Sequence, residues 1–562
     1  MSNRSLNAVL PASSRVPALC LSGQQLTIGE VHAVASGSRS VTITDDRKVL
    51  DRLEAAQALV RKAVDSGRRV YGLTTGFGSM ADVEVPADQA EASQANLLAF
   101  LACGAGRPLD SRHVRAAMLL RANMLLRGAS GVRLEVVERL VAFLNHNATP
   151  VVRELGSIGA SGDLVPLGAI ARAITGQASP CRVSFGGREV DGGEALKELG
   201  LKPLELLPKE ALAIVNGTSF SAAIGADCLH AARNYLGLAF ASHAMMTRAL
   251  LGYEEPYAAF VHECKPHPGQ AWSASMMRRL LGVENGAGSA DDAEARPHLQ
   301  DRYSLRCLPQ YMGPLVEGIR RVERVIETEM NSVTDNPLID SANDRFLQSG
   351  NFLGQYVGIA MDDLRRCLGL MAKHLDVQIS QLVSPEFNRG LPASLVGNGD
   401  SAVNMGLKGL QITGNSIMPT LTYFGNPLVE HYPTHAEQFN QNVNGLSWGA
   451  ANLTAQSVDL YSHYASVALI FAVQSVDLRA RALEGHCDGR TLLGPMVVPL
   501  YESVYEIAGC RVGGKSPLIF NDSDQSLELV LADLASAIQG HGAPVEAVSL
   551  ITESLGELEF AV

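Results

Sequence analysis

Apolar residues return at intervals of three and four along most of the chain, the spacing that lines one face of an α-helix, and glycine-rich connectors separate these stretches. Arg112 to Arg127 and Val132 to Asn145 read as two such helices divided at Gly128. Leu315 to Met330 and Met361 to Gln378 carry apolar stripes with charged outer faces, and Phe220 to Leu251 and Leu453 to Leu483 predict longer helices. Strand signals are confined to short pieces, Val41 to Thr44 and Arg182 to Val190, the second with Gly186-Gly187 placed for a hairpin turn. No segment recurs with a period of roughly 20 to 50 residues, which excludes a solenoid. The pattern predicts a mainly α fold.

Composition narrows the function classes. With 46% apolar but only 5% aromatic residues, the chain suits closely packed helices better than a β-sandwich. Its 46 basic and 58 acidic residues give a net charge of −12, so there is no electrostatic footprint for nucleic acid or for an anionic membrane. The longest apolar helical run, Ala465 to Val473, is far short of the ~20 residues of a membrane span. Nine cysteines, an odd number without a C-x-x-C pair, argue against a disulfide framework or a structural zinc site, and a cytoplasmic location is expected. Met1 to Pro17 is broken by Pro11 and Ser13-Ser14 and fails as a secretory signal; residues 1–24 are expected to form a loose tail.

The candidate chemistry lies in Gly156 to Pro166, which reads Gly-Ser-Ile-Gly-Ala-Ser-Gly-Asp-Leu-Val-Pro. With no bulky side chain at Ala160 or Gly162, the Gly162 nitrogen could reach the Ala160 carbonyl carbon and close a five-membered ring. Loss of two waters, one from the Ser161 hydroxyl, would leave a methylidene carbon conjugated to an imidazolone. A second copy, Ala129-Ser130-Gly131, precedes a clean helical stripe, where Ser130 or a neighbour is expected to cap the helix. A nucleophile elbow would need glycine at 163, where Asp163 stands. From these residues alone, a glycine-rich turn into a helix and a reactive site both remain open.

Further segments carry a family signature. The eleven residues resemble the prosthetic-group loop of the aromatic amino acid ammonia-lyases and aminomutases. Val70 to Gly78 is similar to that family's catalytic tyrosine loop, and Asn216-Gly217-Thr218-Ser219 to its asparagine motif. Lys265 to Gln270, Gln300 to Gln310, Asn331 to Pro337, Gly350 to Gln355 and His435 to Gln441 resemble its remaining blocks, over roughly residues 25 to 540 in all. The resemblance implies a long-helix bundle of the fumarase/aspartase-like superfamily, divided into an N-terminal domain over 25–219 that carries the prosthetic group and a helical region over 220–562. It also implies homotetramers whose active sites draw on several subunits.

The same resemblance assigns roles. Ala160, Ser161 and Gly162 would form a 4-methylidene-imidazol-5-one, with neither metal nor nucleotide required. Tyr71 would be the base, whose ordinary pKa near ~10 requires a site that favours the phenolate. Tyr303 would join it in catalysis, sharing a helical face with Arg306, whose planar guanidinium suits the substrate carboxylate. Asn216, Gln300 and Asn351 would hydrogen-bond the ring oxygen or that carboxylate, and Phe352 would pack beside the ring. Glu437 and Gln441, four apart and on one side if helical, would lie near the substrate amine. Phe100-Leu101 corresponds to the family's selectivity pair, and its apolar wall, extended by Leu164 and Leu212, favours an unsubstituted ring. The expected reaction is elimination of ammonia from L-phenylalanine to give trans-cinnamate. The alternatives are a 2,3-aminomutase, a tyrosine- or histidine-specific lyase, and a catalytically silent structural protein. Both Gly72 to Val85 and Gly282 to His298 would be mobile loops over the site.

Three other patterns point elsewhere. Gly509 to Ser516 satisfies the phosphate-loop spacing, but Pro517 follows at once and Tyr501 to Ala508 is a poor core strand. Pro433 stands between His431 and His435 and spoils the helix that would align two metal ligands. Gly414 to Pro419 resembles a loop of the fumarase and aspartase relatives, without the lysine that their pattern carries.

Overall fold

The computed structural model describes residues 16–176, 181–283, 298–400 and 402–558. These fall into two compact units, each assembled from separated stretches of chain. The first takes the described residues of Met1–His230 with Glu323–Asp362 and Pro427–Leu453; the second takes those of Ala231–Val322, Asp363–Asn426 and Thr454–Val562. The expected boundary at 219/220 coincides with the start of helix Ser219–Ala249, whereas the division into units falls within that helix. Helix dominates as the apolar spacing requires, and the described strands are pieces of two to four residues.

In the first unit, helix Ser111–Leu125 packs between Ile28–Ala35 and Leu134–Asn145. Side chains set where helices begin. Thr27 and Glu30 form a reciprocal capping box, and Asp110 accepts the Arg112 amide at 2.8 Å. Helix Ser111–Leu125 is buried from His113 onward, so its arginines must find partners inside. Arg115 donates to the Val34, Ala35 and Leu144 carbonyls at 2.8 to 3.0 Å. The expected cap at Ser130 is not formed: Arg133 is the N-cap residue, without a side-chain bond, and Ser130 is buried. Residues 16–24 are likewise not a loose tail, because strand Leu19–Leu21 pairs in parallel with Val41–Ile43 and buries Leu19 and Leu21; residues 1–15 lie outside the described residues. The Gly186-Gly187 hairpin forms as read, with Phe185 opposite Arg188.

The second unit is built on helices Gln355–Val383 and Ser447–Glu484, which contribute residues 363–383 and 454–484 to it. The apolar run Ala465 to Val473 is buried throughout, and no described helix is long and apolar enough to cross a membrane. Buried Asp477 accepts the Tyr501 and Tyr505 hydroxyls at 2.5 and 2.6 Å and the Leu518 amide at 2.9 Å. Two sequence patterns resolve here. Tyr501 to Ala508 belongs largely to helix Val498–Ile507, so no strand leads into the phosphate-loop spacing. Gly414 to Pro419 is not a loop but part of helix Lys408–Phe424, which continues through Pro419 with the loss of one backbone hydrogen bond.

Candidate active site

The Gly156 to Asp163 loop is fixed from several sides, all within the first unit. Its Ile158 and Gly159 carbonyls accept the Leu446 and Gly354 amides at 2.9 and 3.0 Å. Ser157 Oγ donates to the Gly162 carbonyl at 2.7 Å and accepts the Gly159 amide at 3.0 Å. Beyond the turn, helix Leu164–Thr175 begins, and Asp163 reaches a second helix: its Oδ2 accepts the Phe220 and Ser221 amides at 3.0 and 2.8 Å, closing the start of Ser219–Ala249. Asp163 Oδ1 is buried without a hydrogen-bond partner among the described residues. Burial pushes this carboxyl up to about 6, against the donors from Ser221 and Phe220 and the charge of Arg121.

Two glycines make the turn possible. Gly162 has φ +67, and a Cβ there would overlap the Gly217 carbonyl; Gly217 has φ +142, and its own Cβ would stand 2.6 Å from Arg121 Nη2. This floor holds Asn216 with its Nδ2 donating to the Ser161 carbonyl at 3.1 Å, while Gln441 Nε2 donates to Ser161 Oγ at 3.0 Å. The Ala160-Ser161-Gly162 backbone therefore fits ring closure. Position 162 admits only glycine, Ala160 is buried away from water, and an amide already meets the carbonyl oxygen that a closed ring would keep.

Tyr71 sits in a turn braced by threonines, with Thr74 Oγ1 accepting the Val70 amide at 2.9 Å and Thr75 Oγ1 the Gly72 amide at 3.3 Å. Leu212 packs onto Gly72, and the Gly78 amide donates to Tyr71 Oη at 2.8 Å. The phenol is not tuned as expected. Burial raises its pKa and the Glu437 carboxylate raises it further, with the Gly78 amide the one opposing contact. Glu437 and Gln441 do not share a helix either. Residues 437–439 have φ of +52, +49 and +72, and the segment is a tight turn closed by an Ala436–Gln441 bridge, with Ser79 Oγ held to Gln438 Oε1 at 2.6 Å. The turn nevertheless directs Gln441 at Ser161 and packs Glu437 onto Gly78.

The remaining predicted residues divide. Leu101 is buried against Gly168, whereas its neighbour Phe100 is 58% exposed; Leu164 and Phe352 are half-buried. Asn351 is exposed and donates to the Val333 carbonyl at 3.3 Å, not to the loop. In the second unit, Tyr303 and Arg306 share the short helix Tyr303–Arg306, with the guanidinium 4.8 Å from the ring centre, as their spacing predicts. Arg306 Nε is buried and without a partner among the described residues. Gln300 and Tyr303 line a cleft of about 520 Å³ with Arg302, Phe387 and Arg389. Of the second expected mobile loop, residues 284–297 lie outside the described residues. The sequence reading missed Arg121 and the buried Lys209–Asp335 pair, 2.7 Å apart, because a charged side chain reads as solvent-facing until its neighbours are known.

Comparison with known proteins agrees with this geometry. The signature of the aromatic amino acid lyases matches residues 26–502. The chain is 49% identical to a phenylalanine ammonia-lyase of Nostoc punctiforme, over 95% of this chain and 94% of that one. It is 42% identical to an aromatic ammonia-lyase of Loktanella atrilutea, over 93% and 97%. Among solved structures, a tyrosine aminomutase of Streptomyces globisporus superposes with a TM-score of 0.84 at 25% identity, covering 97% of this chain and all of that one. A sequence match of this length, together with the loop, tyrosine and amide arrangement, places the chain in the aromatic amino acid lyase family.

Proposed function

We propose that this protein eliminates ammonia from L-phenylalanine to give trans-cinnamate, with Ala160, Ser161 and Gly162 matured to a 4-methylidene-imidazol-5-one. The observation that carries the reading is the convergence of Asn216 Nδ2 and Gln441 Nε2 on Ser161, in a chain 49% identical to a phenylalanine ammonia-lyase. When formed, the group supplies an electron-poor carbon that no ordinary side chain offers and makes the substrate's amino group easier to expel. Ser161 Oγ leaves during ring closure, which frees the Gln441 amide for the substrate.

The side chains meet the other demands of the reaction. Tyr71 Oη takes the β-proton, with the Gly78 amide stabilising the phenolate. Arg306 offers its planar guanidinium to the substrate carboxylate, and Tyr303 stacks beside it; Gln300 and Asn351 supply further amides. Leu101, Leu164, Leu212, Phe100 and Phe352 line the ring pocket. Burying a phenolic hydroxyl there without a partner costs about 1 to 3 kcal/mol, roughly a ten- to hundredfold preference for phenylalanine over tyrosine.

The active protein is a homotetramer. Phe100 and Tyr303, 58% and 71% exposed in one chain, need a neighbouring copy to form a dry pocket, and helix Lys408–Phe424 exposes Ile412 and Tyr423. Nine free cysteines suit a reducing, cytoplasmic setting. Purified protein given L-phenylalanine should release cinnamate, followed by ultraviolet absorbance, and an equal amount of ammonia. Accumulation of β-phenylalanine as the main product would overturn the lyase in favour of the aminomutase.

A further inference from the structure

Arg121 is a charged side chain packed against the Asn216-Gly217 floor. It lies on helix Ser111–Leu125, fully buried, and its Nη1 donates to the Asn216 carbonyl at 3.1 Å and the Ala213 carbonyl at 3.3 Å. Its Nη2, together with the still nearer carbonyl and hydroxyl of Thr334, lies against Gly217, where even a methyl group would not fit, and Gly217 in turn lies against Gly162. Three layers are thus stacked without slack: the guanidinium with Thr334, Asn216-Gly217, and Ser161-Gly162. The layers are also bonded, since Asn216 donates to Ser161 and the Gly217 carbonyl accepts the Asp163 amide at 2.8 Å. The Nε and Nη2 of Arg121 have no hydrogen-bond partner among the described residues, and neither has Asp163 Oδ1. A guanidinium with unmet donors is a costly thing to bury if its only task is to support a helix packing that an apolar side chain could support as well.

We infer that Arg121 is a positioning residue for maturation of the loop, pressing Asn216-Gly217 against Ser161-Gly162 so that the Gly162 nitrogen is held at the Ala160 carbonyl carbon. The inference rests on the reading that the loop matures at all. The step it serves balances without an oxidant or co-reactant. A bond forms between Gly162 N and the Ala160 carbonyl carbon, and that carbonyl oxygen departs as water with the Gly162 and Ser161 amide hydrogens. The Ser161 hydroxyl leaves with the Ser161 Cα hydrogen as the second water. Ring closure demands that two groups two residues apart along the chain be brought into contact, so any slack in the floor lowers the rate directly.

The test is intact-mass measurement on the purified full-length protein, with melting temperature and oligomer size recorded for each variant. Arg121→Met should fold but lose two waters at least about tenfold more slowly than the wild type. Arg121→Lys, which keeps a cation and a donor, should mature at an intermediate rate and remains informative should the methionine variant fail to fold. Arg115→Met removes another buried arginine of the same helix, whose donors go to Val34, Ala35 and Leu144, and should mature fully however much stability it loses. Folded Arg121→Lys maturing at the wild-type rate would overturn the inference, as would Arg115→Met maturing as slowly as the Arg121 variants. A wild-type protein that keeps both waters would instead overturn the maturation reading itself.

Discussion

The Glu437 carboxylate works against Tyr71: it raises the pKa of a phenol that, as the proposed base, would have to give up its proton. Replacing the carboxylate with a neutral amide removes that opposition. In Glu437→Gln the phenolate should form at lower pH, so the acidic limb of the kcat/KM profile should move to lower pH even if the maximum rate falls. A limb that stays in place, or moves upward, would show that the group controlling it is not Tyr71.

In the proposed group, Ser161 supplies the reactive carbon. Ser161→Ala should leave helical content and oligomer size unchanged, abolish the two-water mass deficit and lower turnover by at least about a thousandfold. Full activity in that variant would contradict the proposed group, whatever its mass.

Arg306→Lys keeps a positive charge but loses the planar fork. The expected effect is a fall in kcat/KM of roughly ten- to hundredfold, about 1.4 to 3 kcal/mol, with maturation of the loop untouched. Substrate titration, read beside intact mass, separates this outcome from a folding defect.

Acid should weaken the second unit near Arg306. His243 donates from Nδ1 to Gln378 Oε1 at 2.8 Å, and Gln378 Nε2 donates to the Ser304 carbonyl at 2.7 Å, between Tyr303 and Arg306. Burial lowers the His243 pKa from 6.5 to about 4, and it lowers that of neighbouring His374 as well. A depressed folded-state pKa means that the stabilisation is fully present above 6.5 and is lost as pH falls from there toward 4. His243 alone accounts for on the order of 3 kcal/mol over that window. Thermal melts should show a steep loss between about pH 6.5 and 4, and a shallower one in His243→Asn.

The helices were legible because their spacing is dictated by which face is buried: Ser219–Ala249 and Ser447–Glu484 lie within a few residues of the stretches read from the pattern. Tyr303 and Arg306 met as three-residue spacing requires. What failed was tertiary in origin. Glu437 and Gln441 stand four apart, yet three consecutive residues with positive φ replace the helix with a turn, and no local propensity announces that. The tail expected before residue 25 holds a strand only because Val41–Ile43 is there to pair with it. Arg121 was invisible for the same reason: its contacts are with Asn216 and Gly217, nearly a hundred positions away.

The bond from Asp163 to the first amides of Ser219–Ala249 ties the order of events to the order of synthesis. A nascent polypeptide that has not yet emitted residue 221 lacks both the helix start that holds this carboxylate and the glycine beneath the loop. The proposed ring closure at Ala160 would therefore follow assembly of the surrounding helices, and a ribosome-stalled fragment ending before Asn216 should carry an unaltered peptide there.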